Sequence, residues 1–301
     1  MRFRLLLISI AVSVLALPSV ALGSEVIDRN ASNIKLKVSP NGKQALLLYK
    51  ARGRQQHVLA WGAKNAIAPT TARKQVEFKL DYSGGWGTYR KDVWKTFKNR
   101  CAPYDGPKIQ WLAMACKASD GSYWAVQKWQ RQLPNFGLTP TPRQAVWELR
   151  LSHWSGALPE FVVKLNWTRW GLARVYDHLY GYLHYNGKPV HGFRSTPAGV
   201  PLDTFGRNIY VDTFNSKYGQ GWKRENSFLA HKNTGVFCYG FYPHGKHPIG
   251  KGDRYRATVI GPGVTPDMFW QSDAPGLFDD ALDQAANDEI TALNDPLCEA
   301  R

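Results

Sequence analysis

The amino-acid sequence predicts a mainly β protein whose antiparallel sheets pack in a sandwich-like way. Three observations carry this prediction: short apolar and aromatic runs recur along the chain, turn residues such as Pro40-Asn41-Gly42 separate them, and no internal repeat or long low-complexity segment interrupts them. The strand candidates are residues 34–38, 44–49, 57–61, 75–80, 111–116, 123–129, 145–151, 161–167, 175–185, 189–193, 208–213, 227–231, 235–241 and 254–260.

The first 23 residues have the features of an export signal. Arg2 and Arg4 precede the apolar run 5–17, and Ala21-Leu22-Gly23 is a small-residue pattern that a signal peptidase can cut before Ser24. The apolar run is too short to span a bilayer comfortably, and no cysteine near the cut can accept a lipid. We therefore expect a secreted, extracytoplasmic protein whose mature chain begins near Ser24 and has no transmembrane segment.

Two helices are expected among the strands. Near 89–100, apolar residues from Tyr89 to Phe97 share one helical face while basic residues occupy the others. This pattern predicts an amphipathic helix that packs on a sheet, with a membrane-surface role as the alternative. Apolar residues at helical spacing predict a second, acidic helix near 278–294 that docks on the body of the protein.

The expected organisation is a signal peptide at 1–23, an N-terminal β region at 24–133, a β-sandwich region at 144–272 and an acidic tail at 273–301 docked on the body. The stretch 133–143, which contains three prolines and a glycine, supplies the boundary between the two β regions. The chain length leaves one large β domain or two small ones open.

The sequence contains four cysteines, Cys101, Cys116, Cys238 and Cys298. An even number in an oxidising compartment predicts two disulfides. Of the three possible connectivities we favour the one with the local pair Cys101–Cys116, which leaves Cys238 to tie the C-terminal tail to the body through Cys298.

Charge is distributed unevenly along the chain. The formal net charge is +16, but residues 24–272 carry 36 Lys and Arg against 15 Asp and Glu, which leaves this stretch near +21. The tail from Asp273 onward carries eight acidic residues against Arg301. A basic surface attracts polyanions, which outside a cell are envelope glycopolymers, acidic polysaccharides, lipid headgroups or, without sequence specificity, nucleic acid. The alternative is a basic protein whose acidic tail covers part of the charge.

Asn186-Gly187 predicts a two-residue hairpin turn after a long strand. Alternation places the tyrosines and histidines of that strand on one face, and pairing across the turn sets Tyr182 opposite His191 and Tyr180 opposite Phe193. Aromatic rings stack on sugars or bases, so this face suits a carbohydrate or a single-stranded polymer unless a second layer buries it. The candidate ligand-binding residues are Tyr180, Tyr182, His184, His191 and Phe193 for stacking, and Arg90, Lys91, Lys95, Lys98, Lys223 and Arg224 for charge.

No catalytic motif is complete in the sequence. The Ser-His-Gly-Cys run of Cys/His transpeptidases is absent around Cys238, and there is no Gly-x-Ser-x-Gly elbow, Walker loop or dinucleotide fingerprint, so no cofactor is expected. The histidines match no zinc-site spacing, so no metal is expected either. The catalytic candidates are Asp212, Glu225 and His231, since hydrolysis of a glycan needs an acid and a base or nucleophile.

Two parts of the chain resemble known families. Residues 181–190 (GYLHYNGKPV) followed by 203–213 (DTFGRNIYVDT) resemble a pattern of prealbumin-like or carboxypeptidase-regulatory-like β sandwiches. Residues 81–87 (DYSGGWG) and 222–243 are similar to secreted bacterial proteins, mainly actinobacterial, of unknown function. The first resemblance implies a sandwich fold, and the second implies export without an activity, ligand or catalytic residue.

Together these observations predict a secreted protein that binds an anionic cell-envelope polymer or glycan without catalysis. The alternative from another class is an exported hydrolase that acts on cell wall or another polymeric substrate. A structural sandwich that binds a protein partner is a third reading, and it predicts a large exposed apolar patch.

Overall fold

The structure is a computed structural model that describes residues 24–67, 72–129, 147–170, 174–190, 209–216, 218–228, 235–240, 252–277 and 279–293. Within these ranges the chain forms sixteen strands and three helices, which confirms the mainly β prediction. The strands build four antiparallel sheets, named I to IV below. The export signal predicted at 1–23 lies outside the described residues.

Sheets I and II form the first sandwich. Sheet I has the order β1 (Glu25–Arg29), β8 (Glu148–Trp154), β7 (Tyr123–Trp129) and β6 (Leu112–Lys117); sheet II has the order β2 (Ser32–Val38), β3 (Gln44–Ala51), β4 (Arg54–Trp61) and β5 (Lys79–Asp81). Alternate side chains, such as Leu47 and Tyr49 of β3, are buried in the core that the two sheets share. β8 follows the predicted boundary at 133–143 in sequence, yet it pairs with β1 and β7.

Sheets III and IV form the second sandwich. In sheet III, β10 (Arg174–Tyr185) pairs with β9 (Glu160–Trp170) along one edge and with β11 (Lys188–Pro189) and β14 (Val236–Gly240) along the other. Sheet IV has the order β13 (Gly219–Phe228), β12 (Ile209–Ser216), β15 (Arg254–Val259) and β16 (Met268–Asp273). Leu179 and Leu183 of β10 lie with Val211 and Val259 of sheet IV in one buried cluster, as alternation along β10 predicts.

The predicted hairpin after β10 forms, but its second strand is short. β11 contains two residues, and β14 takes the same edge of β10 from His178 to Tyr182. The predicted pairs of Tyr182 with His191 and of Tyr180 with Phe193 are therefore wrong, because β9 and β14 fill both edges of β10 at these positions. His191 and Phe193 themselves lie outside the described residues.

A loop of the second sandwich, residues 260–267, is inserted against sheet I. The Asp267 carboxylate is 2% exposed and accepts hydrogen bonds from the Ser24 hydroxyl (2.6 Å) and the Trp129 indole N–H (2.9 Å). Its Oδ2 also lies 2.9 Å from Nε of Arg150, which is fully buried. A charge this deep in a protein is stable only with such partners. The two sandwiches are thus joined by an ionic contact in addition to apolar packing.

Two single-turn helices, α1 (Trp86–Tyr89) and α2 (Val93–Thr96), stand in place of the one amphipathic helix expected near 89–100. Arg90 adopts a left-handed conformation, with φ of 54°, and this ends α1 after one turn. Tyr89 and Trp94, which the sequence placed on one helical face, therefore reach sheet II from two separate turns.

The predicted C-terminal helix is confirmed as α3 (Asp280–Ala292). Asp279 caps its first turn by accepting hydrogen bonds from two backbone N–H groups. Ala286 and Ile290 are buried against the outer face of sheet III. Within the described ranges, none of the helices has the length and apolar content that crossing a membrane requires.

The predicted disulfide Cys101–Cys116 is present, with its Cα atoms 5.1 Å apart. It links the segment that precedes β6 to a residue within that strand, across a sequence separation of 15. A cross-link of this kind stabilises the fold mainly by restricting the unfolded chain. Cys238 is also disulfide-bonded, so it offers no free thiol for nucleophilic catalysis. Its predicted partner, Cys298, lies outside the described residues.

Replacing Asp267 by Ala is expected to lower the free energy of unfolding by about 3–5 kcal/mol, because Arg150 then loses a buried counter-charge. Chemical denaturation measures this change. The control is Asp105→Ala, which removes the partner of Lys117 from an ion pair that is about half exposed. Solvent screens that pair, so its loss should matter far less; equal effects of the two substitutions would contradict a joining role for Asp267.

Candidate functional site, a basic groove on the outer face of sheet II

Residues 81–100 cross the outer face of sheet II, and Asp81 fixes their first turn. Its carboxylate accepts hydrogen bonds from the N–H groups of Ser83 (2.9 Å) and Thr88 (2.8 Å). Burial alone would raise the pKa of Asp81, but hydrogen bonds from these two residues lower it to about 2. At the far end of the segment, the Arg100 N–H donates to the Val38 carbonyl of β2 (2.8 Å). The segment is therefore held to sheet II at both ends.

Glycine at position 84 lets this segment approach β4 closely. Gly84 has φ of +67°, and a Cβ there would lie 2.7 Å from Trp94 Cδ1 and 2.9 Å from His57 Cβ. A side chain at this position would thus be strained by its backbone and would overlap its neighbours. The close approach accompanies a stack of the Trp94 ring on the His57 ring, with centroids 4.0 Å apart and planes 13° apart.

A groove of about 730 Å³ lies beside this stack. The strand register builds it: Leu48 of β3 lies opposite Lys35 on one side and His57 on the other, on the face of sheet II away from the core. The groove is lined by Asn33, Ile34, Lys35, Lys37, Leu48, Lys50, Gln55, His57, Trp94 and Lys95.

The groove is basic. Its lining contains four lysines and neither Asp nor Glu. Asp92 lies 2.5 Å from Lys95 Nζ, but the Lys95 and Asp92 side chains are 58% and 38% exposed, so solvent screening leaves little of this attraction. Burial lowers the pKa of His57, which favours the neutral imidazole. Lysine ammonium groups beside the stacked His57 and Trp94 rings suit a ligand that carries negative charge and flat apolar faces.

The basic residues predicted for ligand binding are distributed over both sandwiches. Lys95 lines the groove, whereas Arg90, Lys91 and Lys98 are exposed on the same segment outside its lining. Lys223 lies on β13, opposite Thr213. Arg224 is buried on β13, where its Nε lies 2.5 Å from a carboxylate oxygen of Asp212.

The predicted aromatic face belongs to sheet III, and α3 covers part of it. Tyr180 is 3% exposed, and its hydroxyl donates to Glu289 Oε2 (3.0 Å). Tyr182 is half-buried, donates to Glu160 (2.9 Å) and contacts the His184 ring, with centroids 4.5 Å apart. This face lies on the second sandwich, so it is separate from the groove.

The catalytic candidates Asp212 and Glu225 lie on neighbouring strands at a β-bulge of sheet IV. Asp212 is ion-paired with Arg224 and with Arg256 (2.6 Å). Glu225 is fully buried, and neither of its carboxylate oxygens has a hydrogen-bond partner among the described residues. Burial, with a smaller contribution from Asp212, raises the pKa of Glu225 to about 7. His231 lies outside the described residues; in those that are described, no group of three or more His, Cys, Asp or Glu is placed to hold a metal ion.

Sequence reasoning missed most of the groove. Lys35 and Lys37 alternate with Leu36 and Val38, and this period of two already places both lysines on the solvent face of β2. The alternation does not reveal that Trp94, some 60 residues later in the chain, lines the same groove as these lysines. Three strands and a short helix together form the site.

Replacing Gly84 by Ala is expected to lower the free energy of unfolding by about 2–4 kcal/mol, because the new Cβ overlaps Trp94 and His57 and the backbone keeps a positive φ. Gly53→Ala is the matched control, since Gly53 has φ of +72° but nothing lies within 4 Å of its Cβ position. That change should cost only the conformational part, about 1 kcal/mol. Denaturation of the two variants compares them, and equal losses would show that the approach to Trp94 and His57 is not tight.

Glu225→Gln is expected to change how stability depends on pH. Glu225 holds its proton in the folded protein up to about pH 7, whereas the ordinary value for the unfolded chain is 4.5. Between these values the unfolded state binds fewer protons, so the contribution of Glu225 to the free energy of unfolding falls as pH rises, by about 1.4 kcal/mol per pH unit. The Gln variant should lose this decline, and Glu77→Gln, at an exposed carboxylate, should keep it. Denaturation across this pH range measures the free energy of unfolding of both proteins. Parallel pH profiles for wild type and Glu225→Gln would contradict the raised pKa of Glu225.

Comparison with known proteins gives this chain no relatives from which a function can be transferred. No protein-family model, no curated protein and no solved structure matches it. The resemblance of residues 181–190 and 203–213 to prealbumin-like sandwiches, and that of 81–87 and 222–243 to secreted bacterial proteins, therefore stay predictions. The function has to be inferred from the groove and from the charges and rings around it.

Proposed function

We propose that the protein binds an extended anionic polymer of the cell envelope in the basic groove of sheet II. The observation that carries this proposal is the lining of the groove, which combines four lysines with the His57–Trp94 stack and contains no carboxylate. The ligand class is an acidic glycan or a similar polyanion, and binding involves no chemical step.

The spacing of the lysines supports an extended ligand. Lys35 and Lys37 are two residues apart on β2, which sets their Cα atoms roughly 7 Å apart with both side chains on one face. Lys50 on β3 and Lys95 on α2 add two more charges to the lining. Charges spread along a strand match a ligand with repeated negative groups better than a ligand with a single one.

Exposed aromatic rings on the 81–100 segment support a glycan among the polyanions. Tyr82, Trp86 and Tyr89 are 55%, 53% and 42% exposed. Sugar rings stack on such aromatic faces through their apolar C–H groups. A sandwich that binds a protein partner would also expose apolar rings, but the two exposed basic residues that directly follow Tyr89 favour the polyanion.

An extracytoplasmic location is part of the proposal. The Cys101–Cys116 disulfide fits an oxidising compartment. The sequence-based prediction of an export signal at 1–23 supports the same location. The polyanions of that compartment include the acidic polymers of the envelope.

An exported hydrolase that uses Glu225 is a second candidate function. One observation favours it: Glu225 is a buried carboxyl group whose pKa of about 7 matches that of a general acid working at neutral pH. Asp212 is its nearest candidate partner, but the Asp212 carboxylate is held by Arg224 and Arg256. Binding in the groove needs none of these groups, so the two candidates are separable.

Replacing Lys35, Lys37, Lys50 and Lys95 together by Ala is expected to weaken polymer binding. Fewer counterions are released when fewer cations contact the ligand, so the slope of log affinity against log salt should become shallower by about 3 to 4. The measurement is retention of the oxidised, mature protein on purified cell wall, polygalacturonate and DNA across a salt series.

The matched control replaces Lys43, Lys74, Lys108 and Lys188 by Ala, since these lysines are exposed and lie outside the groove lining. It removes the same formal charge and should change the slope by less than about 1. Equal losses in both variants would overturn the groove as the binding site. Breakdown of a polymer by the wild type, abolished by Glu225→Gln, would instead support the hydrolase.

A further inference from the structure

We propose that the face of sheet III beneath α3 is a second binding surface, specific for carboxylate-bearing polysaccharides, and that α3 occupies it as an internal competitor. Oε2 of Glu289 on α3 lies 2.6 Å from Lys164 Nζ and accepts a hydrogen bond from the Tyr180 hydroxyl at 3.0 Å. An ammonium group and a hydroxyl that converge on one carboxylate oxygen form a receptor that a uronic acid also fits. This inference takes only its ligand class from the proposed function. The surface itself lies on sheet III, whereas the groove lies on sheet II.

The receptor belongs to a row of side chains on β9 and β10. Lys164 lies directly opposite Tyr180 in the strand register. Tyr182 and His184 follow on the same face of β10, and their rings are in contact. Alternate residues of a strand are spaced by roughly 7 Å, so a chain of sugar units that places a carboxylate at Lys164 extends over these rings.

α3 is held on this face by a small buried apolar surface and by exposed polar contacts, among them the hydrogen bond from the Asn166 amide to the Leu282 carbonyl (3.1 Å). Its buried apolar contribution comes from Ala286 and Ile290. The Lys164–Glu289 pair has side chains that are 48% and 49% exposed, so solvent screens it. Buried polar atoms without a hydrogen-bond partner among the described residues lie on both elements, His178 Nδ1 on β10 and Asn287 Oδ1 on α3. Such atoms oppose burial of the helix.

The charge of α3 fits a competitor of an anionic ligand. The helix and its cap carry five acidic residues and no basic one, Asp279, Asp280, Asp283, Asp288 and Glu289. The body on which this helix docks carries a net charge near +21 over residues 24–272. A polyanion and α3 cannot occupy the sheet III face at the same time. Loosening α3 therefore raises the affinity for the polyanion.

The test combines Glu289→Ala with Ile290→Asp in the full, oxidised chain that already carries the four groove substitutions. Because the groove is inactivated, any polygalacturonate binding that appears must come from elsewhere. We expect affinity for polygalacturonate to rise about tenfold over the groove-inactivated parent, a typical size for coupling between competing states. Further substitution Lys164→Ala should remove this gain. Amide hydrogen exchange over residues 280–292 reports release of α3 independently of binding.

The control is Asp288→Ala in the same background, which removes one negative charge from an exposed position of α3. It should alter neither exchange nor affinity. Release of α3 without a gain in polygalacturonate binding, or a gain that survives Lys164→Ala, would overturn the second surface. An α3 that stays protected from exchange in the double variant would overturn its role as a competitor. The groove proposal is tested with α3 intact, so either result leaves it unaffected.

Discussion

The buried guanidinium of Arg150 lies where the two sandwiches meet. Nη1 donates to Glu148 (2.9 Å), Nη2 donates to the Ser24 carbonyl (2.6 Å), and Nε lies 2.9 Å from Asp267. The charged members of this network depend on one another, because an isolated buried charge costs roughly several kcal/mol in lost hydration. The network draws on β8, on the residue before β1 and on the residue before β16. The buried Arg150 of sheet I therefore has all of its partners only when the 260–267 loop is in place.

From this junction, aromatic rings and guanidinium groups continue across sheet IV. Trp129 stacks on Trp111 at 5.4 Å and meets Tyr210 at 6.2 Å, and the Arg224 guanidinium lies 4.4 Å from the Tyr210 ring. Arg256 in turn lies over Trp222 at 4.3 Å. These arginines are held by ring faces and by a buried carboxylate. Their charge serves the packing of the second sandwich, which is why a basic residue such as Arg224 is not part of an open surface.

Features set by neighbours in sequence could be predicted, and features set by distant contacts could not. The Asn186-Gly187 turn, the core face of β10, the C-terminal helix and the Cys101–Cys116 bridge follow from local patterns. The pairing of β14 with β10 does not, because some 50 residues separate the two strands and no local signal specifies the partner. The break between α1 and α2 depends on the backbone of Arg90. The groove combines strand alternation, which the sequence displays, with a crossing segment, which it does not.

The predicted signal-peptide cut lies immediately before Ser24, a residue of the buried ionic network. Ser24 is fully buried, its hydroxyl donates to Asp267, and its carbonyl accepts from Arg150. A peptidase that trims the chain as far as Ser24 leaves these contacts intact, whereas one that removes Ser24 itself strips two partners from the buried charges. Loss of partners at buried charges is among the most destabilising changes a protein can undergo. The predicted cut before Ser24 would therefore have to be accurate to a single residue for the folded protein to keep its full stability.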